Sequence, residues 1–209
     1  MKQDGMNRYR ILMETVKLRI ALIDDIMHGK CSLPDIPLIE SAALQFRKVL
    51  ELVAFGSLVA NEKVYRTMHA DFAKEWNAKK LLAKLGKLNL DFYPIPVKQV
   101  QPEKPGMLLR HEKVTQGYLS KKTFIDAYQQ CSELIHTTNP YSKKSHFDPK
   151  VYSKTFFEWR NEIVSLLNLH ELRLYNDPGM AVCSMNAGGT NQVQVYRFAP
   201  PSSSTEVKP

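Results

Sequence analysis

The chain has 209 residues, of which 44% are hydrophobic, and it carries a formal net charge of +8. This length favours one domain, or one domain with a small appendage, and so high an apolar content excludes disorder as the main state of the chain. The positive charge would suit an anionic partner such as nucleic acid, although the basic residues are spread along the whole chain.

No segment has the composition of a membrane-spanning helix. The most apolar stretch, residues 44–60, contains Arg47, Lys48 and Glu51, which a helix surrounded by lipid would not hold. The first ten residues lack the apolar core of a secretion signal. We therefore expect a cytoplasmic protein that does not enter a membrane.

Five segments in the first 170 residues predict a helical bundle. Apolar residues recur at helical spacing over residues 7–28, 38–60, 68–87, 120–136 and 149–169. Ser120 is a suitable N-cap for the fourth helix. The fifth has the clearest start, with Asp148 as N-cap and Pro149 at the first helical position.

The remaining segments predict a loop and a small sheet. Residues 89–117 contain four prolines, so we expect a long loop here, either functional or a linker. After His170 the hydrophobic period changes, and turn sequences separate three short apolar segments. They predict a three-stranded antiparallel meander over residues 171–199, packed on the bundle, with a disordered tail at 200–209. The predicted fold is therefore mainly α, of the α+β class: a five-helix bundle with a small C-terminal β-meander.

Two charged helix faces are candidate binding surfaces. On the third helix, four lysines form a basic stripe: Lys79, Lys80, Lys84 and Lys87. Such a stripe could track a phosphate backbone, or it could be a solvated helix face. On the second helix, Glu40, Arg47 and Glu51 share one face. They predict either an Arg47–Glu51 pair at the bundle surface or a partly buried polar cluster that lines a groove.

The sequence contains few marks of catalysis. Three isolated cysteines without a CxxC pair favour reduced thiols, and no phosphate loop, nucleophile elbow, HExxH helix or paired-carboxylate motif occurs. We therefore expect neither a metal nor a cofactor. His136 is expected in the last turn of the fourth helix, where the helix dipole would stabilise its protonated form. It is the one candidate catalytic residue, and its placement could equally be structural.

A basic bundle of this kind, with the segment SELIHTTNPY at the end of one helix, resembles the HEPN superfamily over residues 7–170. The resemblance implies a helical dimer associated with RNA cleavage or with defence and toxin–antitoxin systems. The catalytic signature of that family is an arginine followed, after a short spacer, by a histidine. This sequence departs from it: eight residues separate Arg19 from His28, two separate Arg66 from His69, and nine separate Arg160 from His170. The ribonuclease activity is therefore not carried over, and a non-catalytic member is the better match.

These observations lead to three hypotheses. The first is a non-enzymatic helical binding or regulatory protein that recognises a protein partner or RNA. The second is a metal-independent ribonuclease with His136 as general base and a nearby basic side chain that stabilises the phosphorane. The third is a structural subunit without nucleic-acid contact. The HEPN resemblance adds a homodimer to the assemblies to be considered.

Overall fold

The structure, a computed structural model, describes residues 1–68, 77–101, 110–137, 141, 149–177 and 179–198. This part of the chain contains six α-helices, one short 3-10 helix (Ala187–Gly189) and five strands. The helices are α1 (Gln3–Met27), α2 (Asp35–Ala60), α3 (Glu62–Met68), α4 (Ala78–Leu88), α5 (Lys121–Leu134) and α6 (Pro149–Leu167). The strands are β1 (Ile95–Val100), β2 (Arg110–Lys113), β3 (Leu169–Arg173), β4 (Met180–Ser184) and β5 (Gln194–Phe198).

The mainly helical α+β fold is confirmed, and five of the six helices match the predicted segments. The predicted third helix began too early, because α4 starts at Ala78, where the side chain of Asn77 accepts a hydrogen bond from the Lys80 amide at 3.0 Å. The short helix α3 was not predicted. Residues 69–76, which the prediction included in the third helix, lie outside the described residues.

The fourth and fifth helices begin where the sequence indicated. The Oγ of Ser120 accepts a hydrogen bond from the Thr123 amide at 3.0 Å and caps α5. Helix α6 begins at Pro149, while the predicted N-cap Asp148 lies outside the described residues. Helix α5 ends earlier than predicted. The Ile135 amide donates the last hydrogen bond to the Cys131 carbonyl, so His136 follows the helix instead of lying in its last turn.

The sheet is larger than predicted. Its five strands are all antiparallel, in the order β2-β1-β3-β4-β5, and the predicted meander forms the β3-β4-β5 part. The prediction that residues 89–117 form only a loop was wrong, because they contain β1 and β2. Pro96 is compatible with a strand here because it lies near the start of β1, where its carbonyl accepts a hydrogen bond from the Val114 amide at 2.9 Å. The predicted tail, residues 200–209, lies outside the described residues.

One hydrophobic core runs from the helices into the sheet. Helix α2 is central and packs against α1, α4, α5 and α6. Between α2 and α6 the rings of Phe46, Phe156 and Trp159 form an aromatic cluster with centroids 5.0–5.8 Å apart. Leu172 of β3 and Ala181 of β4 are buried in the same core. The inner face of the sheet is therefore part of the bundle's packing. None of the described helices is both long and apolar enough to cross a membrane.

Candidate functional site

A groove of about 870 Å³ lies where the start of α1 meets the end of α2, helix α3 and the turn between β3 and β4. Five basic side chains line it: Lys2, Arg8, Lys63, Arg66 and Arg197. Three acidic side chains also line it: Asp4, Glu62 and Asp177. Among the side chains that the structure describes in this groove, five positive and three negative ones leave an excess of two positive charges, which favours an anionic ligand.

Each of the three carboxylates is paired with an arginine of the same groove. The Nη2–oxygen distances are 2.9 Å for Arg8–Asp4, 2.7 Å for Arg66–Glu62 and 2.8 Å for Arg197–Asp177. The first two pairs join residues four positions apart on one helix, a spacing at which opposite charges meet. The pairs therefore hold the guanidinium groups at the groove wall.

The two lysines of the groove are in a different situation. Lys2 precedes the first residue of α1, and Lys63 belongs to α3, so they come from different elements of the groove. Both are exposed, and within the described part of the chain their ammonium groups have no hydrogen-bond or ion-pair partner. They are available to a phosphate without first losing a protein contact.

A buried amide junction fixes the elements around the groove. Asn61, the C-cap of α2, donates through Nδ2 to the Ser57 carbonyl at 3.0 Å. Its Oδ1 accepts from Nδ2 of Asn89 at 2.8 Å, and that same nitrogen is 3.0 Å from the carbonyl of Arg173. The ends of α2, α4 and β3 are thereby joined through two side chains.

The turn between β3 and β4 positions Asp177. Its Oδ1 accepts a hydrogen bond from the Gly179 amide at 2.9 Å, and its Oδ2 accepts from Arg197. The hydrogen bond from the Gly179 amide lowers the pKa of Asp177 from its ordinary value, and the positive charge of Arg197 lowers it further. Only glycine fits at position 179, because a Cβ there would approach the Phe198 carbonyl oxygen to 2.7 Å. The carboxylate is therefore held in its charged form beside Arg197.

The predicted face on α2 divides into two parts. Arg47 and Glu51 form a half-buried cluster between α2 and α5, with their side chains 16% and 12% exposed and an Nε–Oε1 distance of 3.2 Å. Arg47 also donates to Ser132 Oγ at 2.6 Å and to Tyr128 OH at 3.2 Å. The predicted Arg47–Glu51 pair is therefore present, but it is partly buried and joins two helices, and neither residue lines the groove described above. Glu40 is exposed and lies outside this cluster.

The other predicted site residues lie on separate surfaces. On α4, Lys79, Lys80 and Lys87 are exposed and Lys84 is half-buried. His136 is exposed after the end of α5 and makes no side-chain hydrogen bond to another described residue. None of the predicted site residues lines the groove.

The groove itself was missed because its residues come from distant parts of the chain. Residues 1–8, 59–66, 174–177 and 197 contribute to it. No motif of fixed spacing could reveal that combination. The one local signal is the pair of opposite charges four residues apart, as in Asp4 with Arg8 and Glu62 with Arg66.

A second polar site is fully buried between α1 and the sheet. The hydroxyl of Tyr9 lies 2.7 Å from Nε2 of His170, and Nδ1 of His170 lies 2.8 Å from the carbonyl of Leu167. Because a carbonyl only accepts, Nδ1 carries the proton and Nε2 accepts from Tyr9. Burial lowers the pKa of His170 to about 4. This neutral histidine has no access to solvent and serves the packing of β3 on α1.

Metal binding finds no support in the geometry of the described residues, among which no group of three or more His, Cys, Asp or Glu side chains could hold an ion. Comparisons of the chain with family models, with curated proteins and with solved structures show no significant similarity to any of them. The resemblance to HEPN domains therefore stays a prediction.

Proposed function

We propose that this protein is a non-enzymatic binding protein that recognises RNA through the basic groove. The observation that carries the proposal is the convergence of five basic side chains from three distant parts of the sequence on one open groove. A phosphate backbone is the ligand for which such an arrangement supplies most of the binding free energy. The excess positive charge of the whole chain would speed its encounter with a polyanion.

A single-stranded nucleic acid such as RNA is favoured over polyanions without bases by an aromatic ring in the same groove. Tyr175 lines the groove and is 45% exposed, beside Asn176. Unpaired RNA bases stack on exposed aromatic rings and form hydrogen bonds to side-chain amides. The groove thus combines contacts for phosphates with contacts for bases. We infer that its ligand is a single-stranded segment.

Binding is favoured over cleavage by the identity of the groove residues. Those that the structure describes include no histidine, the side chain that most often moves protons near neutral pH. Their three carboxylates are engaged by arginines. A non-catalytic, HEPN-like bundle would belong to the same functional class. We place this function in the cytoplasm, where the three free cysteines would stay reduced.

The proposal is tested by fluorescence anisotropy with a labelled single-stranded RNA of mixed sequence, over a range of salt concentrations. We expect the logarithm of the affinity to fall linearly with the logarithm of the salt concentration. The variant Lys2→Ala/Lys63→Ala removes the two lysines that have no protein partner. It should make the slope shallower by about 1.4, since each phosphate contact to a single strand contributes about 0.7.

The matched control is Lys79→Ala/Lys87→Ala, which removes the same charge from the exposed face of α4. It should leave the slope of the wild-type protein unchanged. If only this control variant shows a shallower slope, the binding surface is the predicted lysine stripe and the groove proposal is overturned. Absence of any salt-dependent binding would overturn the RNA function itself. If the protein cleaves the RNA in the presence of a chelator and His136→Ala abolishes the cleavage, the non-enzymatic function is contradicted.

A further inference from the structure

The face of α1 that points away from the core carries large apolar side chains that are exposed to solvent. The opposite face packs into the core through Tyr9, Met13, Val16, Ile20 and Ile23. On the outer face, Ile11 is 57% exposed, Leu18 is 72% exposed and Leu22 is 41% exposed. A single exposed leucine is ordinary, but three large apolar side chains on one helix face form an apolar strip.

This strip belongs to a longer regular pattern. Steps of four and three residues alternate along the helix through seven positions, which we call the outer stripe: Asp4, Arg8, Ile11, Thr15, Leu18, Leu22 and Asp25. Alternation of this kind keeps one seam of a helix facing a second helix. The stripe is apolar at its centre and charged at both ends. An interface between helices commonly has this arrangement of an apolar centre and a polar rim.

We propose that the outer stripe binds the same stripe of a second copy of this chain, with the two α1 helices antiparallel about a two-fold axis. The axis passes midway between Thr15 and Leu18. In this register Ile11 faces the partner's Leu22, and Thr15 faces the partner's Leu18. Every position of the stripe from Arg8 to Asp25 then meets another stripe position, as a self-complementary two-fold interface requires.

The charges select this register. Arg8 faces the partner's Asp25, and each already has a neighbour of opposite sign: Asp4 lies 2.9 Å from Arg8, and Lys30 lies 2.7 Å from Asp25. The two pairs therefore meet as a cluster of alternating charges at each end of the interface. A parallel arrangement would place arginine against arginine and aspartate against aspartate. A shift by one heptad would place Arg8 against the partner's Leu18 and leave it without an acidic partner.

The first test is the mass of the protein in solution, measured by light scattering after size-exclusion chromatography over a wide range of concentrations. We expect twice the chain mass of 24.0 kDa at high concentration. Leu18→Glu should give the monomer at every concentration, and at dilutions where the wild type is monomeric it should unfold at the same temperature, because the side chain is exposed in the single chain. The control is Leu90→Glu, at a residue that is 82% exposed outside the stripe and should leave the dimer intact.

The second test distinguishes the register. Arg8→Asp and Asp25→Arg should each weaken the dimer, and the double variant Arg8→Asp/Asp25→Arg should restore it above either single variant. A dimer with parallel α1 helices would not be restored by the double variant, because like charges would still face each other. The proposal is overturned by a wild-type protein that is monomeric at all concentrations, by a dimer that survives Leu18→Glu, or by a double variant no better than the single ones. These outcomes concern mass alone and do not depend on RNA binding.

Discussion

The hydroxyl of Tyr9 and Nε2 of His170 are 2.7 Å apart, although the two residues are separated by 161 positions in the sequence. This contact joins the first helix to the central strand of the sheet inside a fully buried site. Only the neutral imidazole fits, because one ring nitrogen donates to the Leu167 carbonyl and the other accepts from Tyr9.

Acid should destabilise the protein through His170. Burial lowers the pKa of His170 to about 4 in the folded state, below the ordinary value near 6.5. Between about pH 6.5 and pH 4, His170 is therefore protonated in the unfolded chain and neutral in the folded protein. The free energy of unfolding should be unaffected above about pH 6.5 and fall by up to about 3 kcal/mol as the pH drops to about 4.

The measurement is urea unfolding as a function of pH for the wild type and for His170→Gln. The variant is expected to be less stable at pH 7 by about 1–3 kcal/mol, since Tyr9 loses a well-placed acceptor. Its stability should then change less between pH 6.5 and 4 than that of the wild type. If the free energy of unfolding depends on pH in the same way for both proteins, His170 does not titrate in this range.

Gly56 should not tolerate alanine. A Cβ at this position in α2 would lie 2.9 Å from Cε2 of Tyr9 and 3.3 Å from Cε of Met13, both in the buried core. Gly56→Ala should therefore lower the free energy of unfolding by about 1–3 kcal/mol, in spite of the helix propensity of alanine. The control is Gly86→Ala in α4, where the nearest atom would be Phe92 Cε1 at 3.4 Å. Chemical unfolding should show the control to be neutral or up to about 1 kcal/mol more stable, and equal losses at both sites would contradict the steric explanation.

Arg47 should matter for stability more than an exposed charge does. Arg47→Met removes the hydrogen bonds to Glu51, Ser132 and Tyr128 in the half-buried cluster between α2 and α5. We expect a loss of about 2–3 kcal/mol, because three polar groups lose their shared donor. Lys98→Met, which breaks an exposed pair at 3.5 Å, should cost less than about 0.5 kcal/mol. Similar unfolding midpoints for the two variants would mean that the cluster contributes no more than a surface pair.

Thiol reactivity should distinguish the three cysteines. Burial raises the pKa of Cys131 and Cys183 to about 12, and both are inaccessible, whereas Cys31 is half-exposed. A chromogenic disulfide reagent should titrate one thiol in the native protein and three after unfolding in urea. The Cys31→Ser variant should then show no fast-reacting thiol, and rapid reaction of a second thiol in the folded state would contradict the burial of the other two.

Local chemistry explains the parts of the fold that could be predicted. Helical periodicity, the Ser120 cap and the two turn sequences between the last strands all act within a few residues, so the sequence alone identifies them. The strand β1 was missed because proline usually interrupts a sheet. Pro96 is acceptable because it lies near the start of β1, and the pairing of this strand with β3 is a tertiary relationship. Asn77 likewise could have been one more polar residue inside a longer helix, yet it caps α4.

The candidate site was less predictable than the fold for the same reason. The i,i+4 spacing of Arg47 and Glu51 was visible, but the partners that bury Arg47 are Tyr128 and Ser132, which are 81 and 85 positions away from it. The groove depends on Arg197 reaching Asp177 across the β4–β5 pair. Such contacts follow from the packing of elements and not from any spacing within one of them.

The position of β1 in the sheet has a consequence for the order of folding. The helices α1 and α2 are neighbours in sequence and can pair early through local contacts. The β1–β3 ladder instead joins Ile95 to Glu171, 76 positions apart, with α5 and α6 between them in the chain. The entropy of closing that long loop must be overcome before any hydrogen bond of the ladder forms. Docking of β1 onto β3 should therefore follow the early pairing of α1 with α2, and it would complete the sheet.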